Sequence, residues 1–199
     1  MPDQAADVTS VKIVVGGGPG VGKTTFVNSL SEVMPLTTEA VMTMASAEVD
    51  DPSHPPAGDG VPLAIDFGRL TLARDLVLYV FGMPEQHQFW PMWDELTQGA
   101  VGAVLLVDAY RIADSFPARD FFEASGLPFI VAVIPHHGQF PHRPGDVRQA
   151  LKIGPDVPVI PCDVRNRESA QSTILLLVER AMSATNDNSH TGPGILLRG

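Results

Sequence analysis

One stretch near the amino terminus constrains the fold more than any other; it reads Gly17-Gly18-Pro19-Gly20-Val21-Gly22-Lys23-Thr24-Thr25. Gly17 to Thr24 match the pattern glycine, four residues, glycine, lysine, and serine or threonine. A strand-length apolar run at 11–15 precedes the stretch, and helical spacing of apolar residues follows it at 24–33. Glycines let successive backbone N–H groups point at an anion, and the helix N-terminus adds positive charge. The sequence therefore predicts a phosphate-binding loop between a strand and a helix.

The last residues of this motif, a Walker A sequence, carry the chemistry of a nucleotide site. Lys23 would reach the β- and γ-phosphates, as a binding and catalytic residue, and the Thr24 hydroxyl would ligate Mg²⁺. A second, acidic ligand for Mg²⁺ is expected at the end of an apolar strand. Asp66 and Asp108 both follow apolar runs. Because acids at strand ends also serve as turn caps, the residues alone leave both open.

The composition narrows the class of protein and its surroundings. The 199 residues are 44% hydrophobic, which predicts one globular domain. The net charge of −10 argues against nucleic-acid binding and against docking on an anionic membrane. The single cysteine, Cys162, excludes an internal disulfide and fits a reducing cytoplasm. Apolar runs are too short to span a membrane, so we expect a cytoplasmic protein without direct membrane insertion.

Predicted strands and helices alternate along the chain. Apolar runs predict six strands, at 11–15, 63–67, 76–81, 102–108, 129–134 and 157–160. The predicted helices are at 24–33, 89–98, 113–124, 146–151 and 166–184. This order predicts an α/β fold with a mostly parallel six-stranded sheet covered by helices on both faces and one antiparallel strand pair, 63–67 with 76–81. Together with the Gly17–Thr24 motif it predicts a fold of the P-loop NTPase type.

The domain is expected to occupy residues 11–184, between a flexible arm at 1–10 and a disordered tail at 185–199. Within it, the segment 36–62 is rich in proline, glycine and acids and contains no lysine or arginine. A loop this long inside a compact domain is usually functional. Its place after the first helix is where a nucleotide switch is expected.

Four segments together resemble the conservon-type small GTPases of actinobacteria, which are similar to the bacterial gliding-polarity GTPases of the Mgl type. They are Gly17 to Thr25, Asp66 to Arg69, Phe89 to Leu96 and Cys162 to Ser169. The resemblance implies a Ras-like fold, GTP or GDP as ligand, and Mg²⁺. It also implies a roadblock-type regulatory partner and a sensor-kinase-like membrane protein, so membrane association would be indirect. In such GTPases an Asp of the second strand takes over part of the metal-side role, which favours Asp66.

Several positions depart from these relatives. Gly60-Val61-Pro62 stands where the relatives carry threonines that close over the metal and the γ-phosphate, and Thr37-Thr38 stands where they carry an arginine. Glu85 replaces a glycine whose N–H meets the γ-phosphate, and a carboxylate there repels a triphosphate unless it turns away or a cation intervenes. Gln86 remains where a water-positioning glutamine is expected, and a solvated loop glutamine explains it equally well.

The loops expected to contact the base are also altered. Most GTPases carry Asn-Lys-x-Asp after the fifth strand, where this chain has Ile134-Pro135-His136-His137. His137 would take the place of the base-binding Asp with a single acceptor nitrogen, which leaves guanine and adenine both open. Cys162-Asp163-Val164 stands where the last base-contacting loop is expected, with backbone N–H groups toward the base. A metal site at His136, His137 and His142 is disfavoured, since no cysteine lies near.

Three functions stay open on this sequence. The first is a small GTP-binding signalling switch whose hydrolysis is slow or depends on a partner. The second is a nucleotide-binding pseudo-GTPase that serves as a scaffold without turnover. The third is a P-loop ATPase or kinase, against which stands the lack of an arginine-rich lid segment. The tryptophans Trp90 and Trp93 are either core residues or part of a partner face.

Overall fold

The computed structural model describes residues 8–33, 38–42, 61–136, 138–140 and 142–189, and for 38–42, 61–64 and 184–189 it describes the backbone alone. The strands are β1 (Thr9–Gly17), β2 (Thr38–Met42), β3 (Val61–Ile65), β4 (Phe67–Ala73), β5 (Leu76–Gly82), β6 (Ala100–Val107), β7 (Phe129–Val133) and β8 (Val159–Pro161). The α-helices are α1 (Lys23–Leu30), α2 (Trp93–Thr97), α3 (Phe116–Ser125), α4 (Pro144–Leu151) and α5 (Arg167–Ser189). Short 3₁₀ helices span His87–Met92 and Ile112–Ser115.

Six strands form one sheet in the order β4-β5-β1-β6-β7-β8. β1 pairs in parallel with β5 and β6, and β7 and β8 extend the parallel part. Only β4 of this sheet runs antiparallel, against β5. The α/β prediction with a mostly parallel six-stranded sheet is confirmed. Because parallel strands end at a common edge, the loops after β1, β5, β6, β7 and β8 meet there.

The core has two layers, one on each face of the sheet. Ile13 and Val15 of β1 point to the layer that α1 and α5 cover, while Val14 points to the layer under α2, α3 and α4. All three side chains are fully buried. Alternate strand residues face opposite sides, so a strand covered on both faces must be apolar throughout. This is the physical reason for the continuous apolar runs in the sequence.

The predicted strand 63–67 is wrong as one element. β3 ends at Ile65 and pairs with β2 in a separate two-stranded sheet, whereas β4 begins at Phe67 and pairs with β5. Asp66 lies between the two strands, with its carbonyl accepting the Gly82 N–H. The strand partner thus changes at this polar residue. β2 and the start of β3 also lie inside the segment 36–62 that was predicted as a loop, and 43–60 lie outside the described residues.

Several element ends differ from the prediction, and α2 begins at Trp93 rather than at residue 89 because His87–Met92 form a 3₁₀ helix. β1 includes Thr9 and Ser10, so the expected arm is shorter, and residues 1–7 lie outside the described part. α1 ends at Leu30 rather than at residue 33, because Ser31 takes extended dihedral angles, φ −64° and ψ 136°. α5 continues to Ser189, so the first five residues of the expected tail are helical. Among the described residues, no helix is long and apolar enough to cross a bilayer.

Candidate functional site

The glycine-rich loop connects the carboxyl end of β1 to the start of α1, as its motif predicts. Gly17 has φ 144°, and a Cβ there would lie 2.6 Å from the Leu106 carbonyl oxygen. Gly22 caps α1 with φ 102°, a conformation that L-residues rarely adopt, and its carbonyl accepts the Phe26 N–H at 2.8 Å. The loop therefore folds tightly around the helix N-terminus, where backbone N–H groups attract anions.

Lys23 is the first residue of α1 and is only 6% exposed. Its Nζ donates to the carbonyl oxygens of Gly17 (3.1 Å) and Gly18 (3.0 Å), and pairs with Glu85 Oε2 at 2.9 Å. An ammonium group has three protons, so these three oxygens satisfy it completely. A phosphate that binds Lys23 must therefore compete with the Glu85 carboxylate.

Thr24 and Asp66 meet on the same side of the loop. The Thr24 hydroxyl donates to Asp66 Oδ2 at 2.7 Å, and its oxygen keeps lone pairs for a cation. A hydroxyl beside a carboxylate is the oxygen set that suits Mg²⁺, so these residues fit the ion. Gly82 leaves room for the Asp66 carboxylate, because a Cβ at Gly82 would lie 3.0 Å from Asp66 Oδ2. Asp108 is placed differently: its Oδ1 accepts the Tyr110 N–H at 2.9 Å as a turn cap.

A cavity of about 450 Å³ opens above Lys23. Its lining combines the phosphate loop, Asp66 and the segment that follows β5: Gly20, Gly22, Lys23, Thr24, Thr25, Asp66, Gly82, Met83, Pro84, Glu85, Gln86 and Phe89. This volume is within the usual range of small-molecule sites. The structure thus brings the N-terminal motif and the 82–86 segment together as two walls of one cavity.

Gln86 lies on the outer wall of this cavity. The residue is exposed, and its Oε1 accepts a hydrogen bond from Gln88 Nε2 at 3.0 Å. Its carbonyl accepts the Phe89 N–H, which begins the 3₁₀ helix. The side chain is thus near the cavity but bonded to a neighbouring glutamine.

Two tryptophans hold the segment that carries Glu85. Trp93 Nε1 donates to the Pro84 carbonyl at 2.9 Å, and Trp90 Nε1 donates to the Glu85 carbonyl at 3.2 Å. Trp93 is buried and packs edge-on against Phe121 with ring centroids 5.3 Å apart. Trp93 is therefore a core residue, and half-buried Trp90 lies between the core and the cavity wall. Neither hydrogen bond is predicted by the sequence pattern, although tryptophans so close to a loop are a usable signal.

The loop after β8 lies beside the phosphate loop. Val164 is buried, with its Cγ2 3.2 Å from where a Gly22 Cβ would stand. Cys162 is fully buried, and burial raises the pKa of its thiol. The Cys162 N–H donates to the Val133 carbonyl and the Asp163 N–H to Ser169 Oγ. Both of these N–H groups therefore donate within the protein, and contact between this loop and a base stays a prediction.

The histidine-rich loop after β7 includes residues 138–140, which the structure describes. His137, the predicted base-contacting residue, lies outside the described residues. The rings of His136 and His142 lie 4.6 and 5.9 Å from the Tyr110 ring. Within the described ranges, no group of three or more His, Cys, Asp or Glu residues could hold a metal ion.

One further residue reaches the phosphate loop from the loop after β6. Arg111 Nη1 donates to the Pro19 carbonyl at 3.4 Å, and its Nη2 pairs with Asp114 Oδ2 at 2.6 Å. Gly18 packs against the same segment, since a Cβ there would lie 2.5 Å from Asp114 Cβ. Arg111 and Pro19 are 92 positions apart, and nothing in the sequence indicates their contact.

Solved structures with a similar fold are G domains of an iron transporter. The cytosolic domain of T. maritima FeoB in its apo form matches with a TM-score of 0.62 and 17% identity, over 87% of this chain and 64% of that one. The isolated T. maritima FeoB G domain matches with a TM-score of 0.61, 18% identity, and coverage of 87% and 99%. The Methanococcus jannaschii FeoB G-domain matches with a TM-score of 0.54 and 16% identity, over 86% of this chain and 99% of that one. The chain spans less than two thirds of the T. maritima cytosolic domain, and at these identities the likeness shows the fold alone.

No curated protein matches the chain. A family model, described as conserved hypothetical ATP binding protein, matches residues 15–184. The matched range begins within β1, includes the whole phosphate loop and ends in α5. The chain therefore belongs to this family of conserved hypothetical ATP-binding proteins.

Proposed function

We propose that the protein is a small nucleotide-dependent switch that binds GTP or GDP with Mg²⁺ in the cavity above Lys23. The observation that carries the proposal is the joint placement of the phosphate loop, Lys23 and the Thr24–Asp66 pair around one cavity of about 450 Å³. The loop N–H groups and Lys23 would hold the phosphates, and Thr24 and Asp66 would hold Mg²⁺. The bound ion would neutralise charge on the phosphate oxygens.

The choice of guanine is supported by fold and resemblance. FeoB structures of the same fold are described in GDP and GMPPNP forms, and the sequence resembles the conservon-type GTPases. The family description names ATP instead. Because the chain lacks Asn-Lys-x-Asp after β7, the binding test compares GTP with ATP.

Hydrolysis is proposed to be slow or to depend on a partner. Gln86 is the candidate that positions water, but its side-chain oxygen is bonded to Gln88. The segment 36–62 has no arginine or lysine to supply an arginine finger, which is worth ~10³-fold or more in rate. A roadblock-type partner, expected from the resemblance, would complete the site, and a sensor-kinase-like membrane protein would place the switch at a membrane.

A second candidate function is a nucleotide-binding scaffold without turnover. The Lys23–Glu85 ion pair favours it, because the charge that stabilises a transferring phosphoryl group is engaged by the protein itself. The third candidate, a P-loop ATPase, has the family description in its favour.

Tryptophan fluorescence separates these candidates, since Trp90 and Trp93 hold the cavity wall through Glu85 and Pro84. The protein is titrated with GTP, GDP and ATP in Mg²⁺, and phosphate release is followed with each triphosphate. A response selective for GTP and GDP with slow phosphate release supports the switch. Binding without release, even with a roadblock-type protein present, supports the scaffold. A preference for ATP contradicts the guanine proposal.

A further inference from the structure

We infer that Glu85 is a specificity-determining residue that sets the preference of this site between nucleoside diphosphates and triphosphates, an inference that rests on the proposed function. The segment 82–86 forms the wall of the cavity opposite the phosphate loop. Glu85 extends from this wall to Lys23, with Oε2 2.9 Å from Nζ. Its carboxylate therefore occupies the side of Lys23 where the γ-phosphate of a bound triphosphate would meet the lysine.

The hydrogen bonds of Lys23 determine the side from which a phosphate can approach its ammonium group. Two of its three protons go to the carbonyls of Gly17 and Gly18, inside the loop. The third goes to Glu85, toward the open cavity. A ligand that keeps the loop intact can reach the ammonium only by taking the place of the Glu85 oxygen.

Charge makes this competition depend on the number of phosphates. A terminal γ-phosphate brings further negative charge next to the 82–86 wall, where a carboxylate repels it. A diphosphate has no γ-phosphate and leaves the outer part of the cavity free. The repulsion between its phosphates and the Glu85 carboxylate is therefore smaller. The Glu85 side chain is 35% exposed and can turn toward solvent, so only part of the full Coulomb repulsion opposes the triphosphate.

Trp90 reports the displacement directly. Its indole Nε1 donates to the carbonyl of Glu85 itself, and its ring lies 5.3 Å from that of Trp93. Departure of the Glu85 carboxylate from Lys23 would change the electrostatic surroundings of this indole, which is hydrogen-bonded to the same residue. The fluorescence signal of Trp90 is therefore expected to differ between the diphosphate and triphosphate complexes.

The test compares Glu85→Gln with Glu95→Gln, an equal charge change at an exposed residue of α2 that does not line the cavity. Dissociation constants for GDP and a non-hydrolysable GTP analogue, each with Mg²⁺, are measured for both variants and the wild type. For Glu85→Gln, the preference for triphosphate over diphosphate should rise about tenfold, and for Glu95→Gln it should stay within about twofold.

An unchanged preference in Glu85→Gln overturns the inference. Weaker triphosphate binding in Glu85→Gln also overturns it, because Glu85 would then support the bound phosphate or metal. Should Glu85→Gln fail to fold by circular dichroism, Glu85→Ala must give the same rise in preference. A wild-type protein that binds neither nucleotide overturns the proposed function together with this inference. Nucleotide binding with an unchanged preference overturns the inference alone.

Discussion

Asp66 illustrates how single residues acquire their role from placement rather than type. Asp66 and Asp108 both follow apolar runs, and the local sequence does not separate them. In the structure, Asp66 accepts the Thr24 hydroxyl hydrogen bond, while Asp108 caps a turn at Tyr110. Asp66 stands at the break between β3 and β4, where its carbonyl accepts the Gly82 N–H and its carboxylate faces Thr24.

Asp66→Asn should therefore weaken nucleotide binding in Mg²⁺ by about tenfold or more, because an amide is a poor Mg²⁺ ligand and loses the negative charge. Binding in excess EDTA should change by less than about threefold, since Asp66 does not contact the loop glycines in this arrangement. Asp108→Asn is the matched control and should behave like wild type in both conditions. Equal effects of the two variants would contradict the assignment of Asp66 to the metal side.

The reactivity of Cys162 tests whether its side chain is buried in solution. Its thiol is fully buried and its pKa is raised, chiefly by that burial, so little thiolate is present at neutral pH. We expect iodoacetamide to label the native protein at pH 7.5 at least about 100-fold more slowly than the protein in urea. Mass spectrometry measures both rates. Fast native labelling would show that the loop after β8 opens readily.

At the scale of elements, α4 ends in an unfavourable backbone conformation. Lys152, its C-cap, has φ 53° and ψ 37°, which is left-handed and suits glycine better than any L-residue. Lys152→Gly should raise the free energy of unfolding by about 0.5–1 kcal/mol, measured by urea denaturation. Lys152→Ala keeps a Cβ and should bring no gain. Stabilisation by both variants would point to the lysine charge instead of the backbone.

Two arginines fix the loop between α4 and β8. Arg148 Nη1 donates to the carbonyls of Gly154 and Val157, both at 2.6 Å, and Arg180 of α5 pairs with Asp156 at 3.1 Å. The hydrogen bond from Arg180 is the main reason that the pKa of Asp156 is lowered in the fold. Because the folded pKa is below the unfolded one, this pair stabilises the protein at pH above the usual Asp range. Its contribution is lost as pH falls through the folded pKa.

Asp156→Asn should thus destabilise the protein at pH 7 by less than about 1 kcal/mol, since the side chain is largely exposed. The difference from wild type should shrink as pH falls below about 4. Denaturation with urea at pH 7, 5 and 3 measures it. A difference that grows toward acid pH would contradict the sign of the pKa shift.

Across the whole molecule, the sequence predicts features formed by consecutive residues and misses contacts between residues far apart in the chain. The strand, loop and helix around Gly17–Thr24 follow one another, so motif and periodicity are enough to predict them. The Lys23–Glu85 pair and the Arg111–Pro19 contact depend on how β5 and β6 lie beside β1, which no local pattern contains. The β2–β3 pair was missed because proline and glycine around it suggest a loop, although pairing between two edges tolerates both.

The central claim is that Lys23 and its loop hold the phosphates of one nucleotide. Isothermal titration of GTP and ATP with Mg²⁺ into the wild-type protein and Lys23→Ala tests it most directly, with Lys12→Ala, on β1 and outside the cavity, as control. We expect one nucleotide site per chain. Its affinity should fall by at least about 100-fold in Lys23→Ala and stay unchanged in Lys12→Ala. Binding of equal strength in Lys23→Ala and wild type would contradict the account.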